Sequence, residues 1–182
     1  MALDEDRLDG GEYDSRGASW SPTGDRILYE SLEPLPGSQL GTEGLRLHVA
    51  SIDPAGVVSS VSRLESDPFD DDELNGTFTP NGQRIVFQRR LGWTPPDPST
   101  GTPTVDALLI TAADGTGTAS PLGVSSTNGD GLSYALSPDG RSVIAHLWKE
   151  GQDWIIDLDG GAPRLADFAS LEGVSWQRVA VP

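Results

Sequence analysis

Cysteine is absent from all 182 residues, which excludes disulfides and thiolate metal sites. Lysine occurs once, at Lys149, so all but one of the 12 basic residues are arginine, set against 28 acidic ones. A formal charge of −16 repels nucleic acid and anionic lipid, both of which need clustered Lys or Arg. Genome composition or solvation in high salt would each give such a balance, which speaks to solubility and not to fold. No apolar run is long enough to cross a bilayer, so no membrane insertion is expected of this segment. Residues 1–9 are acidic and lack the basic and apolar regions of a signal peptide, as expected of a cytoplasmic protein or of a piece of something longer.

Signatures of catalysis are also missing. There is no Gly-x-Ser-x-Gly elbow, no P-loop and no dinucleotide fingerprint. Two histidines, His48 and His146, stand in different apolar runs, where each is expected to belong to a sheet and not to a metal site. No window sustains a helical apolar period, and the best of them, residues 165–171, is too short to count. The chain is expected not to be an enzyme.

What is present is a repeat. Ser21-Pro22-Thr23-Gly24, Thr79-Pro80-Asn81-Gly82 and Ser137-Pro138-Asp139-Gly140 share one turn chemistry at one spacing (80 − 22 = 58 and 138 − 80 = 58). Ser or Thr can bond back to the turn backbone, Pro presets φ, and Gly closes the turn. Each turn is preceded by a short run ending in Trp20, Phe78 or Leu136 and followed by an apolar one: Ile27-Leu28-Tyr29, Ile85-Val86-Phe87, Val143-Ile144-Ala145. Strand, turn, strand is a hairpin, met three times in register. A third run ends each time in an acidic turn, at Asp53, Asp114 and Asp159, and a fourth, polar one carries Leu64, Leu122 or Leu165. Each unit thus reads as four antiparallel strands, a to d. With 22 Gly and 14 Pro, roughly a fifth of the chain is turn punctuation, which suits about twelve short strands.

Four-stranded units repeated radially make an all-β propeller, in which a blade apolar on both faces needs a neighbour on each side. The blades are expected over about residues 14–64, 72–122 and 130–165, in a single partial propeller domain spanning 1–182. Arg7-Leu8 resembles a d strand, and Val174-Ser175-Trp176, within residues 173–181, resembles an a strand. Three blades cannot close a ring, so completion is expected from a second copy or from further chain. Trp20, Ile27, Tyr29, Phe78, Ile85, Phe87, Val143 and Trp176 are the expected buried positions.

Trp20-Ser21-Pro22, Ser137-Pro138-Asp139-Gly140-Arg141 and Leu158-Asp159-Gly160-Gly161 resemble the TolB-type, WD-like repeats of six-bladed propellers, over residues 7–182. The resemblance implies the C-terminal portion of such a ring and an extracytoplasmic location, periplasmic or at the cell surface. It implies a non-enzymatic scaffold or sensor that binds a protein or peptide. It is also compatible with the gating propeller of a serine peptidase whose hydrolase domain is absent here, or with a metal-dependent propeller hydrolase.

Two features could form a site. Asp14, Asp72 and Asp130 each stand eight residues before a turn proline, so they should ring the channel mouth, where carboxylates could hold Ca²⁺ or a cationic group. Exact recurrence favours the alternative that each accepts backbone N–H bonds and locks adjacent blades. No cofactor beyond that Ca²⁺ option is expected; the acidic run from Asp67 to Gly76 fails as a calcium loop because Gly82 stands where the bidentate Glu belongs. The b-to-c connections break the repeat: residues 32–44 and 90–105 are inserts, while the third blade turns within 147–152. The second insert carries Trp93 on a Pro-rich segment, a contact candidate on the face where a partner should dock.

Overall fold

The structure, a computed structural model, describes residues 15–34, 43–64, 72–91, 105–127 and 131–167. It is all-β, and among the described residues there is no helix. Three four-stranded antiparallel sheets follow one another as blades of a partial β-propeller. Blade one holds β1 (Ser15–Trp20), β2 (Arg26–Pro34), β3 (Glu43–Ile52) and β4 (Val58–Arg63). Blade two holds β5 (Asp72–Phe78), β6 (Arg84–Leu91), β7 (Val105–Ala112) and β8 (Ser120–Thr127). Blade three holds β9 (Leu132–Leu136), β10 (Ser142–Leu147), β11 (Gln152–Asp157) and β12 (Arg164–Leu165). In each sheet the spatial order is the chain order.

The three a-to-b turns are built alike. Ser21, Thr79 and Ser137 donate their N–H to Arg26, Arg84 and Ser142 carbonyls, all at 2.8 Å. The same three side-chain hydroxyls accept the N–H of those partners, at 3.0, 3.1 and 2.9 Å. The closing glycines, Gly24, Gly82 and Gly140, all have positive φ (73°, 68° and 69°), a region open to Gly without steric cost. The third turn residue decides who holds the hydroxyl. Asp139 and Asn81 each do so at 2.7 Å. The Thr23 hydroxyl lies farther from that of Ser21, at 3.2 Å, and Asp25, two residues on, accepts from both Ser21 and Thr23.

Alternation along the second strands sends successive side chains to opposite faces, and both faces are apolar. Leu28, Leu47, Val49 and Leu64 of blade one pack with Phe78, Ile85, Phe87 and Leu109 of blade two. On the other face of blade two, Val86, Leu108 and Val124 pack with Leu132, Val143, Ala145 and Ile156 of blade three. Ile27, Tyr29 and Ala50 form a third layer on the far face of blade one. Equivalent residues face equivalent ways, so the period is a rule about which neighbour each side chain meets.

Six of the expected core positions are buried: Ile27, Tyr29, Phe78, Ile85, Phe87 and Val143. Trp176 lies outside the described residues, as do both expected partial strands, at 7–8 and 173–181. Trp20 corrects the expectation, being 54% exposed where its equivalent Phe78 is 6% exposed. Phe78 faces blade one, where the Arg26 guanidinium lies 5.4 Å from its ring centroid. Trp20 looks the opposite way from blade two, where the described residues include no blade. A repeat position is buried by its neighbour and not by its own sheet.

That difference can be measured. Phe87→Ala should cost about 3–5 kcal/mol in urea unfolding, as for other core aromatics, and Phe78→Ala should fall in the same range. Trp20→Ala should cost less than about 1 kcal/mol, in line with an exposed site. Equal losses at Trp20 and Phe78 would show that another element covers Trp20 in solution.

Candidate functional site

Of the residues expected to form a site, Asp14, Asp130 and Trp93 lie outside the described residues. Asp72 opens β5 and is 8% exposed. Its Oδ1 accepts the Leu45 N–H of blade one at 2.8 Å. The cause lies in strand lengths: β4 pairs with β3 only from His48 onward, so among the described residues no strand meets the Leu45 and Leu47 N–H groups. Unpaired buried N–H groups are costly, and carboxylates from the next blade accept them. Glu73, beside Asp72, accepts the Leu47 N–H on Oε2 at 3.0 Å.

These carboxylates sit in a buried charge cluster. Arg89 approaches the Glu73 Oε1 at 3.6 Å, and Glu73 itself is 2% exposed. Burial raises the Glu73 pKa above its ordinary value, against the opposing pull of the Leu47 N–H and of Arg63, Arg89 and Arg46. Burial likewise lowers that of Arg46, helped by Arg63 and opposed by Glu73, Asp72 and Glu33. On the far face of β3, His48 stacks on Tyr29 with centroids 5.3 Å apart and bonds the Glu33 carboxylate at 2.5 Å. His146 pairs with buried Asp153 at 2.8 Å within blade three. Both histidines therefore belong to sheets, as expected. Among the described residues no group of three or more acidic or His side chains could hold a metal ion.

Two arginines missed in the sequence also tie the blades. Arg26 donates to the Ala113 and Gly82 carbonyls at 3.1 and 2.7 Å, crossing from blade one to blade two. Arg84, at the same repeat position, donates to the Leu158 carbonyl at 2.7 Å and to Asp159 at 3.2 Å, crossing from blade two to blade three. Their shared place, two residues after the turn glycine, was the available signal. Blade three has Ser142 there.

The innermost strands bring the blades together at Asn75. A bulge in β5 holds it at φ 53°. Its N–H donates to Glu30 of blade one at 2.6 Å, and its side-chain amide to Gln88 at 3.1 Å. Its carbonyl accepts the Tyr134 hydroxyl of blade three, a group that also lies 2.8 Å from the Val86 carbonyl and 3.3 Å from the Thr77 hydroxyl. Burial pushes the Tyr134 phenol well above its ordinary pKa, partly opposed by Thr77.

Here the repeat breaks inside the fold. Tyr134 occupies the repeat position of Gly76. A Cβ at Gly76 would stand 2.7 Å from Leu28, so β5 lies directly against blade one. The Tyr134 ring instead reaches across to blade two. A cleft of about 370 Å³ opens between β5 and β9, lined by Asn75, Gly76, Thr77, Leu132, Ser133 and Tyr134. Its size is near the lower end of small-ligand sites, about 300–1,000 Å³.

Blades, interblade arms and inner cleft define a β-propeller scaffold. No protein-family model matches the chain, and no curated protein matches its sequence. Its likeness is to solved structures. Prolyl oligopeptidase B from Galerina marginata, bound to a 25mer macrocyclization substrate, matches 90% of this chain with 24% of its own, at 14% identity and a TM-score of 0.54. A second structure of that enzyme, with a 35mer substrate, gives the same coverage and identity and a TM-score of 0.52. Hydrazine synthase from Kuenenia stuttgartiensis matches 78% of this chain with 39% of its own, at 19% identity and a TM-score of 0.49. The chain thus spans about a quarter of the peptidase, and at such identity the likeness is of fold alone.

The Glu73 environment makes a signed prediction. A carboxyl whose folded pKa is raised loses stability as pH climbs from its unfolded value, 4.5, through the folded one. The melting temperature of the wild type, taken relative to Glu73→Gln, should therefore fall as pH rises above 4.5. A flat difference would show that the arginines, and not burial, set this pKa.

Proposed function

We propose that this chain is part of a TolB-type propeller that serves as a non-enzymatic scaffold or sensor, binding a protein or peptide outside the cytoplasm. The observation that carries the reading is where the repeat is kept and where it is broken. The a-to-b turns repeat their main-chain bonds and closing glycines, because they fold the blades. The b-to-c connections do not repeat: eight residues, 35–42, and thirteen, 92–104, join strands in the first two blades, while only 148–151 do so in the third. A scaffold holds constant what folds it and varies what meets a partner, since loops change without disturbing blade packing.

Trp93, Asp14 and Asp130 are the proposed contact groups on that face. Asp72 contributes charge there, while one of its oxygens is engaged by Leu45. An acidic face prefers a neutral or basic partner and holds it less tightly in salt. The alternative, a propeller gating a serine hydrolase domain, predicts that the product of the full reading frame is labelled by a fluorophosphonate.

The test uses two fluorescent peptides of equal length, one rich in arginine and one rich in glutamate, with binding read by anisotropy. The basic peptide should bind saturably at low salt and weaken on adding salt; the acidic one should not bind. Combining Asp14→Lys, Asp130→Lys and Trp93→Ala should weaken the basic peptide at least about tenfold, or about 1.4 kcal/mol, without changing the melting temperature. Equal binding of both peptides, or binding indifferent to salt and to the triple variant, would overturn the assignment.

A further inference from the structure

We propose that the cleft between β5 and β9 takes an extended, uncharged peptide segment whose main chain pairs with the open edge of β9. This rests on the protein-binding reading and gives it a second contact, at the inner strands and away from the varied loops.

The hydrogen-bond ladder of blade three sets the geometry. Ser137 donates to Ser142 at 2.8 Å and Trp148 to Gly131 at 3.4 Å, with Val143 opposite Leu136 and Leu147 opposite Leu132. In an antiparallel pair, bonded and non-bonded residues alternate. Residues 131, 133, 135 and 137 therefore turn their main-chain groups toward β10. Leu132, Tyr134 and Leu136 turn theirs the other way. Among the described residues no strand lies on that side of β9, which ends its sheet.

Free main-chain donors and acceptors thus recur every second residue, about 7 Å apart, along the mouth of the cleft. A peptide in β conformation presents groups at that spacing, and edge pairing is a general mode of peptide recognition. The opposite wall is built to leave room. Asn75 and Thr77 are on the side of β5 that faces blade three, yet both are exposed, so blade three does not fill the space in front of them. Tyr134 spans the space between the walls and ties them through its hydroxyl contacts with Asn75 and Thr77.

Charge narrows the ligand. The chain carries 28 acidic residues, yet none of the six lining residues is charged. Glu30 is engaged by the Asn75 N–H from the blade-one side. A charged side chain placed in the cleft would lose hydration without gaining a partner, which costs free energy. Small neutral residues such as Thr and Val suit it.

The probe is acetyl-Thr-Val-Thr-Val-Thr-amide, added to ¹⁵N-labelled protein and followed by amide chemical shifts. Saturable shifts are expected at Leu132, Tyr134 and Thr77. N-methylation of alternate residues separates main-chain pairing from side-chain contact. Methyl groups on one alternate set should weaken binding at least about tenfold, as when a buried bond partner is lost, while those on the other set leave it unchanged. Thr77→Trp, at an exposed position, should fill the cleft and abolish the shifts while the melting temperature holds. Equal effects of the two methylated sets, or saturable shifts confined to other residues, would overturn the proposal. If the arginine-rich peptide binds as described above but this probe moves neither Leu132 nor Tyr134, the cleft fails and the scaffold reading stands. If neither peptide binds, both fail.

Discussion

A sheet with two apolar faces cannot exist alone in water, and everything else in this molecule answers to that constraint. Blade two shows it fully: Ile85 and Phe87 turn to one neighbour, Val86 and Leu108 to the other, and all four are buried. Burying a side chain of this size contributes roughly 1.5–3 kcal/mol relative to leaving it exposed. Only stacking blade on blade secures that contribution on both faces. The polar contacts between blades then arise where stacking buries groups that a lone sheet would leave wet. Asp72 and Glu73 accept the N–H groups left over by the short β4, and Arg26 and Arg84 hold carbonyls of the turns beyond.

The same constraint explains how much could be read in the sequence. The turn prolines and glycines stated the hairpins, and the apolar triplets that follow them stated a sheet packed on both faces. Those are local facts, set by φ preferences and by alternation. Trp20 was misjudged because burial is decided by the neighbouring blade, and the repeat describes only the blade itself. Asp72 could be read as a lock or as a ligand. Its partner, the Leu45 N–H, becomes visible only once β4 is known to be shorter than β3.

The inner cleft was hidden for a different reason. Gly76 and Tyr134 are 58 residues apart (134 − 76 = 58), so their equivalence was available in the letters. What the letters do not state is that one position faces a crowded wall and its copy an open one. Gly76 meets Leu28 and Leu47, whose methyl groups would have to move aside for a side chain there. Tyr134 meets main-chain oxygens, to which a phenol can donate. An identical repeat would have closed both interfaces alike; one exchange of Gly for Tyr gives the two interfaces different widths.

The arginine arms give the stack a direction in time as well as in space. Arg26 finds its carbonyls 56 and 87 residues further along the chain, and Arg84 finds its partners 74 and 75 residues further along. Through these arms the first two blades hold their successors, while Asp72, Glu73 and Tyr134 reach back to the blade before. In N-to-C synthesis the Arg26 guanidinium meets Gly82 in the first turn of the next blade, and its second carbonyl, Ala113, exists only once the third strand of that blade has been made. Synthesis in the N-to-C direction thus completes the contacts one at a time, each new blade satisfying the one before it.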